Sequence, residues 1–321
     1  MMTTLTKIML ASPLSGATTA FSPMTPMKAA TTARSSSTTT LSATPEQAIG
    51  YFELIQKATV DEIAATIPDL AIKPDLSWPS TTIAGVEASL DGRDAPGPAN
   101  IAWVSSLTVS SKLSSLTVFN GPLTDVPHLL SRAYVKEDGN LYFDLDFRPR
   151  AYGAYELRDA EGNYPGPDTL GRKAFEYSGN RKEFDTKFGN EEVVAFMEST
   201  VASLEGATPT PPSSSQLDSL TSGPLKISIS MPLTDTNVQN VANARKQAAS
   251  YWLSWAKPGG GHEHRPGAPV NSQYVYDTKF RQNCYGALLP VYKELFGDED
   301  GATVTAADSG PLDEAYVGGG S

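Results

Sequence analysis

The heptapeptide Leu141-Tyr142-Phe143-Asp144-Leu145-Asp146-Phe147 alternates without a break. Successive side chains of a strand point to opposite faces, so Leu141, Phe143, Leu145 and Phe147 share one face and Tyr142, Asp144 and Asp146 the other. Residues 129–135 form a second β-rich run, and Glu137-Asp138-Gly139-Asn140 between the two has the chemistry of a tight turn. This hairpin commits the chain to a sheet with one apolar side and one polar side that is free to take a ligand.

Further short β-branched and aromatic runs at 83–90, 102–109 and 113–119, and an alternating run at 225–231, supply more strands. Helical spacing covers 44–67, with Pro45 in the first turn behind the cap Thr44. Helical composition also covers 169–204, where Glu191 and Glu192 open a second helix after Gly189-Asn190. A helix over 237–256 follows the capping run Thr234-Asp235-Thr236, and a last one spans about 277–296, stopped by Gly297. The Pro/Ser-rich link 207–224 reads as a surface loop. A helix, a run of strands, then helices with one more strand make an α+β protein: a three-layer α/β/α sandwich with a central antiparallel sheet.

Residues 1–45 contain no Asp or Glu and are rich in Ser, Thr, Ala and Met, with Lys7, Lys28 and Arg34 as the basic residues. Such acid-poor, hydroxyl-rich sequence is expected of a plastid presequence, which places the mature protein in the stroma. Residues 46–297 read as one domain, and 298–321 as a flexible acidic tail. The chain's net charge of −11 argues against a nucleic-acid partner. No apolar run is long enough for a membrane span.

Chemistry-bearing motifs are few. No Gly-rich nucleotide cradle follows a strand, so a redox enzyme with this sequence needs electrons from outside. His262 and His264 sit in a Gly/Pro loop without a third ligand, and no metal centre is expected. Cys284 is the single cysteine, which excludes an intrachain disulfide, and on its helix it reads as a small buried residue.

The segment Val118-Phe119-Asn120-Gly121-Pro122-Leu123-Thr124-Asp125-Val126-Pro127-His128-Leu129-Leu130, and after the hairpin Leu141 to Arg150, resembles the paired strands of the red chlorophyll catabolite reductases. That family is related to the ferredoxin-dependent bilin reductases. Val86-Glu87-Ala88-Ser89-Leu90, Ile101-Ala102-Trp103, Tyr251-Trp252-Leu253 and Leu295-Phe296-Gly297 extend the similarity over most of the chain. The resemblance implies an open-chain tetrapyrrole held between the sheet and the C-terminal helices. It also implies reduced ferredoxin as an external electron donor, with no tightly bound cofactor.

On this resemblance Asp146 is the candidate proton donor. A carboxylic acid pressed against an apolar pigment resists ionisation and keeps its proton to deliver. The residue alone equally suits a strand end that accepts turn hydrogen bonds. His128, Arg132, Asp144 and Phe119 are the candidate pigment contacts, with Arg132 able to pair instead with Asp144 or another acid. Arg148, Arg150, Arg172 and Lys173 head the densest basic stretch, continued by Arg181 and Lys182, and are the candidate ferredoxin-docking surface. The chain departs from the family by Arg132 and Gly121 at positions where relatives carry acids, and by the lack of an acid in 283–287. Three functions stay open: reduction of red chlorophyll catabolite, formation of a phycobilin, or non-catalytic binding of a tetrapyrrole.

Overall fold

The computed structural model describes residues 43–95, 101–150, 184, 187–211, 216–260 and 270–311, all within the unit Thr40–Ser321, one of two compact units of the chain. The expected leader, up to position 42, lies outside them, as do Arg172, Lys173, Arg181, Lys182, His262 and His264.

Helix α1 (Pro45–Thr66) begins where Thr44 closes a reciprocal cap: its hydroxyl accepts from the Gln47 amide at 3.3 Å, and the Gln47 side chain accepts from the Thr44 amide at 2.9 Å. Seven strands follow: β1 (Ala71–Ile72), β2 (Trp78–Ile83), β3 (Val86–Ala95), β4 (Ile101–Val109), β5 (Leu113–Asn120), β6 (His128–Val135) and β7 (Asn140–Arg148). The run at 83–90 is not one strand. Ala84 and Gly85 adopt φ of 48° and 79°, the double left-handed turn that joins two twisted strands, and so split it into the β2–β3 hairpin. The β6–β7 turn forms as its residues require, with Gly139 at φ 75° and the Asp138 carboxylate accepting from the Asn140 amide at 2.9 Å.

The remaining elements are α2 (Glu191–Ala202), β8 (Thr208–Pro209), α3 (Gln216–Thr221), β9 (Ile227–Pro232), α4 (Asp235–Ala256), α5 (Val270–Phe296) and α6 (Asp298–Ser309). The nine strands among the described residues form one antiparallel sheet in the order β1-β3-β4-β5-β6-β7-β9-β8, with β2 also paired to β3. Helices cover both faces, so the architecture is the expected α+β sandwich.

Leu141, Phe143, Leu145 and Phe147 lie on the face packed by α1, α2 and α4, where Phe52, Val60, Met197, Val241 and Trp252 complete the larger core. The opposite face carries Leu107, Leu113 and Tyr134 against Leu288, Tyr292 and Leu295 of α5 and Val304 of α6. At one end of that layer Trp103 and Phe119 meet Tyr276, Phe280 and Cys284 of α5.

Two segments depart from the sequence reading. The link 207–224 contains β8 and α3 rather than loop alone. Residues 298–309, expected as a flexible tail, form α6. Asp298, Glu299 and Asp300 sit at its positive end, and Gly301 lets its backbone lie on α5, since a Cβ there would stand 2.7 Å from the Tyr292 carbonyl oxygen. Composition hid this helix because distant partners fix it: Val304 and Asp308 are buried, and Trp103 Nε1 donates to the Ala307 carbonyl at 3.2 Å.

Candidate functional site

The β6–β7 register sets His128 opposite Arg148, Leu130 opposite Asp146, Arg132 opposite Asp144 and Tyr134 opposite Tyr142. The expected polar face therefore exists. It is not open, however: α5 and α6 cover it, and Asp146, His128, Arg132 and Phe119 are all buried. The protein's own side chains lie where the sequence reading left room for a ligand.

Asp146 is fully buried. Its Oδ2 accepts from the Gly223 amide at 2.7 Å and from Arg148 Nε at 3.3 Å, while Oδ1 has no hydrogen-bond partner. Burial raises its pKa, against the opposing pull of Arg148 and the Gly223 amide. Arg148 reaches across to α5, where Nη1 donates to Cys284 Sγ at 2.9 Å. Gly223 is there because the backbone must come close: a Cβ would collide with Asp146 Oδ1 and stand 2.9 Å from the Phe147 carbonyl oxygen. Gly223→Ala is accordingly expected to cost about 1–3 kcal/mol by overpacking, read from thermal melts. A melt unchanged from wild type would mean that this approach is slack.

His128 is held from three layers. The Asn120 amide donates to Nδ1 at 3.0 Å, the ring stacks on Phe280 of α5 with centroids 5.2 Å apart, and Phe119 meets it edge-on at 5.2 Å. Trp252 of α4 donates to the carbonyl of the preceding Pro127 at 3.1 Å, fixing the strand start from behind. Burial, with Arg150, Arg148 and Arg281 adding to it, lowers the His128 pKa well below its ordinary value. The ring is thus neutral, and with Nδ1 accepting, its proton sits on Nε2. That atom has no hydrogen-bond partner and lies 4.0 Å from Asp277 Oδ1.

Asp277 is the residue the sequence reading missed. Arg150 Nη2 donates to its Oδ2 at 2.5 Å and Gln273 Nε2 to its Oδ1 at 2.8 Å; Arg150 also reaches the Gly121 carbonyl at 2.7 Å. Burial outweighs the nearby Arg150 and raises the Asp277 pKa to about 6. A signal was present: Gln273, Asp277, Phe280, Cys284, Leu288 and Tyr292 recur every three or four residues, so one face of α5 carries polar groups at one end and apolar ones at the other.

A pH prediction follows, because the folded pKa of Asp277 lies above its unfolded value. Its contribution to stability is complete below about pH 4 and is lost as pH rises through 6. Relative to Asp277→Asn, the wild type is expected to lose roughly 2 kcal/mol between pH 4 and 6, measured by urea unfolding across that range. Parallel pH profiles would show that Asp277 ionises normally.

Arg148 and Arg150 correct the docking assignment. Only 4% and 0% exposed, they point between the sheet and α5 and pair with Asp146 and Asp277, so neither forms a surface patch. Arg132 also finds another acid. Its Nε donates to Asp308 Oδ2 at 2.6 Å, whereas Asp144 accepts from Ser228 Oγ at 2.7 Å. Among the described residues no group of three His, Cys, Asp or Glu side chains could hold a metal ion, and no helix is long and apolar enough to cross a membrane.

Six unpaired buried atoms gather at one end of this layer: Asn120 Oδ1, His128 Nε2, Asp146 Oδ1, Arg150 Nε and Nη1, and Gln273 Oε1. Buried polar atoms are nearly always paired, so a cluster of spare donors and acceptors around two carboxyls of raised pKa is a functional-site signature. No family model and no curated protein matches the sequence. Among solved structures, the fold is similar to that of phytochromobilin synthase from tomato, crystallised in complex with biliverdin: TM-score 0.54 and 14% identity, over 81% of this chain and 83% of that one. This chain and that protein share one fold, with a central antiparallel sheet between helical layers.

Proposed function

We propose that the protein binds an open-chain tetrapyrrole between β5–β7 and the first half of α5 and reduces it, red chlorophyll catabolite being the favoured substrate. The carrying observation is the cluster of unpaired polar atoms beside the protonation-prone Asp146. Support comes from the shared fold, since the tomato protein was crystallised with such a pigment. The reading puts the reaction in the plastid stroma, in keeping with the acid-poor leader.

The residues have separable tasks. A conjugated pigment accepts one electron at a time from reduced ferredoxin, and each electron is matched by one proton, so two rounds add two hydrogens across a double bond. Asp146 gives up a proton, and its carboxylate is then steadied by Arg148 and the Gly223 amide. His128 donates from Nε2 to a ring carbonyl oxygen of the pigment, and Phe119 and Phe280 stack on its rings. Admission requires the half of α5 bearing Gln273, Asp277 and Phe280 to move away. Pro290 inside α5 removes one helical hydrogen bond, and Tyr292 beyond it is tied to Asp308 at 2.7 Å, so the C-terminal end of the helix stays anchored.

The test is anaerobic incubation of the protein with red chlorophyll catabolite or biliverdin, reduced ferredoxin and its reductase, followed by absorbance. Turnover of the first pigment supports the proposal, and turnover of biliverdin alone makes the protein a bilin reductase. A spectral shift without turnover identifies a carrier, and no shift with either pigment overturns the whole reading.

A further inference from the structure

On the opposite side of the sheet, away from the pigment site, the Arg245 guanidinium of α4 is buried between α4, α1 and the strands. Nε donates to Ser131 Oγ at 2.8 Å, Nη1 to Ser114 Oγ at 2.9 Å, and Nη2 to Gln56 Oε1 at 2.6 Å and to the Ser131 carbonyl at 3.3 Å. The guanidinium carbon lies 5.5 Å from the Phe52 ring centroid. Every one of these partners is neutral. No carboxylate of the described residues forms an ion pair with Arg245, and burial alone pulls its pKa down, to about 9. By contrast, the buried Arg132, Arg148 and Arg150 each pair with an aspartate. A buried cation ordinarily has a counter-charge.

A small space adjoins this cation. A cavity of about 10 Å³, the room needed by the centre of one small sphere, is bounded by Phe52, Gln56, Thr59, Leu116, Ser131 and Arg245. One Nη1 hydrogen of Arg245 and the hydroxyl hydrogen of Ser131 have no acceptor among these bonds, whereas Thr59 Oγ1 already donates to the Ile55 carbonyl at 2.8 Å. Phe52, Ile55, Leu116 and Ala242 give the space an apolar wall, and its small size favours a monatomic anion. We infer that this cavity is a halide site, in which one chloride ion balances Arg245 and accepts from its guanidinium and from Ser131. A water molecule fits the same space but supplies no charge.

Crystals grown or soaked in sodium bromide are expected to show an anomalous peak beside Arg245. In solution, the melting temperature at constant ionic strength should be about 5 °C higher in near-saturating chloride than in gluconate. Gln56→Glu puts a carboxylate at the position of the Gln56 oxygen and should abolish the chloride dependence while the protein stays folded. The inference is overturned if no bromide peak lies at Arg245, if chloride and gluconate give the same melting temperature, or if the chloride increment persists in Gln56→Glu.

Discussion

With Asp146→Asn, turnover of the pigment is expected to fall about 10²- to 10⁴-fold, the usual worth of a positioned general acid, while pigment binding persists. The substitution preserves shape and keeps an oxygen for the Gly223 amide, so the loss isolates the proton. That oxygen can still accept from Arg148 Nε as well, so the guanidinium keeps its place and its contact with Cys284. Steady-state rates with reduced ferredoxin, paired with a pigment titration, separate turnover from binding. Rates within a factor of two of wild type would remove Asp146 from the chemistry.

Asp308→Ala is expected to destabilise the protein by about 3–5 kcal/mol, the cost of stranding a buried charge. Asp308 is 0% exposed and accepts four hydrogen bonds: from Ser115 and Thr117 on Oδ1 at 2.9 and 2.8 Å, and from Arg132 and Tyr292 on Oδ2 at 2.6 and 2.7 Å. Burial pushes its carboxyl upward, but Arg132 and the hydroxyl donors more than reverse this and hold it below the usual range. Its stabilising effect is therefore present above the ordinary carboxylate pKa and is lost as pH falls through the depressed value. The double substitution Arg132→Met with Asp308→Leu removes both charges and should recover most of the loss. Urea denaturation of the three proteins decides the matter, and a cost under about 1 kcal/mol for Asp308→Ala would show that water reaches Arg132.

What could be read from the sequence, and what could not, divides along range. The division of residues 141–147 between two faces, the Thr44 cap and the Gly139 turn depend on neighbours within a few positions, and they stand as expected. What covers the polar face depends on pairings from Arg150 to Asp277 and from Arg132 to Asp308, set by α5 and α6. The acids at 298–300 suit a helix start, but nothing local to 298–309 shows where that helix docks. Arg148 and Arg150 were misplaced for the same reason. A basic run looks solvated until its acids, one of them 127 residues away, are known. Asp277 was visible only once α5 was extended back to Val270, which put it one turn after Gln273 on the same face.

Arg132 and Asp308 stand 176 residues apart. A chain that emerges N-terminus first, whether from the ribosome or from a membrane pore, exposes the strand carrying this arginine before its counter-charge appears. Until Asp308 arrives, α1 and then α2 and α4 can cover one face of the sheet, while the other face still lacks α6 and carries a cation. That charge acts as a gatekeeper, discouraging the exposed strands from joining those of a neighbouring chain until the second layer arrives to neutralise it.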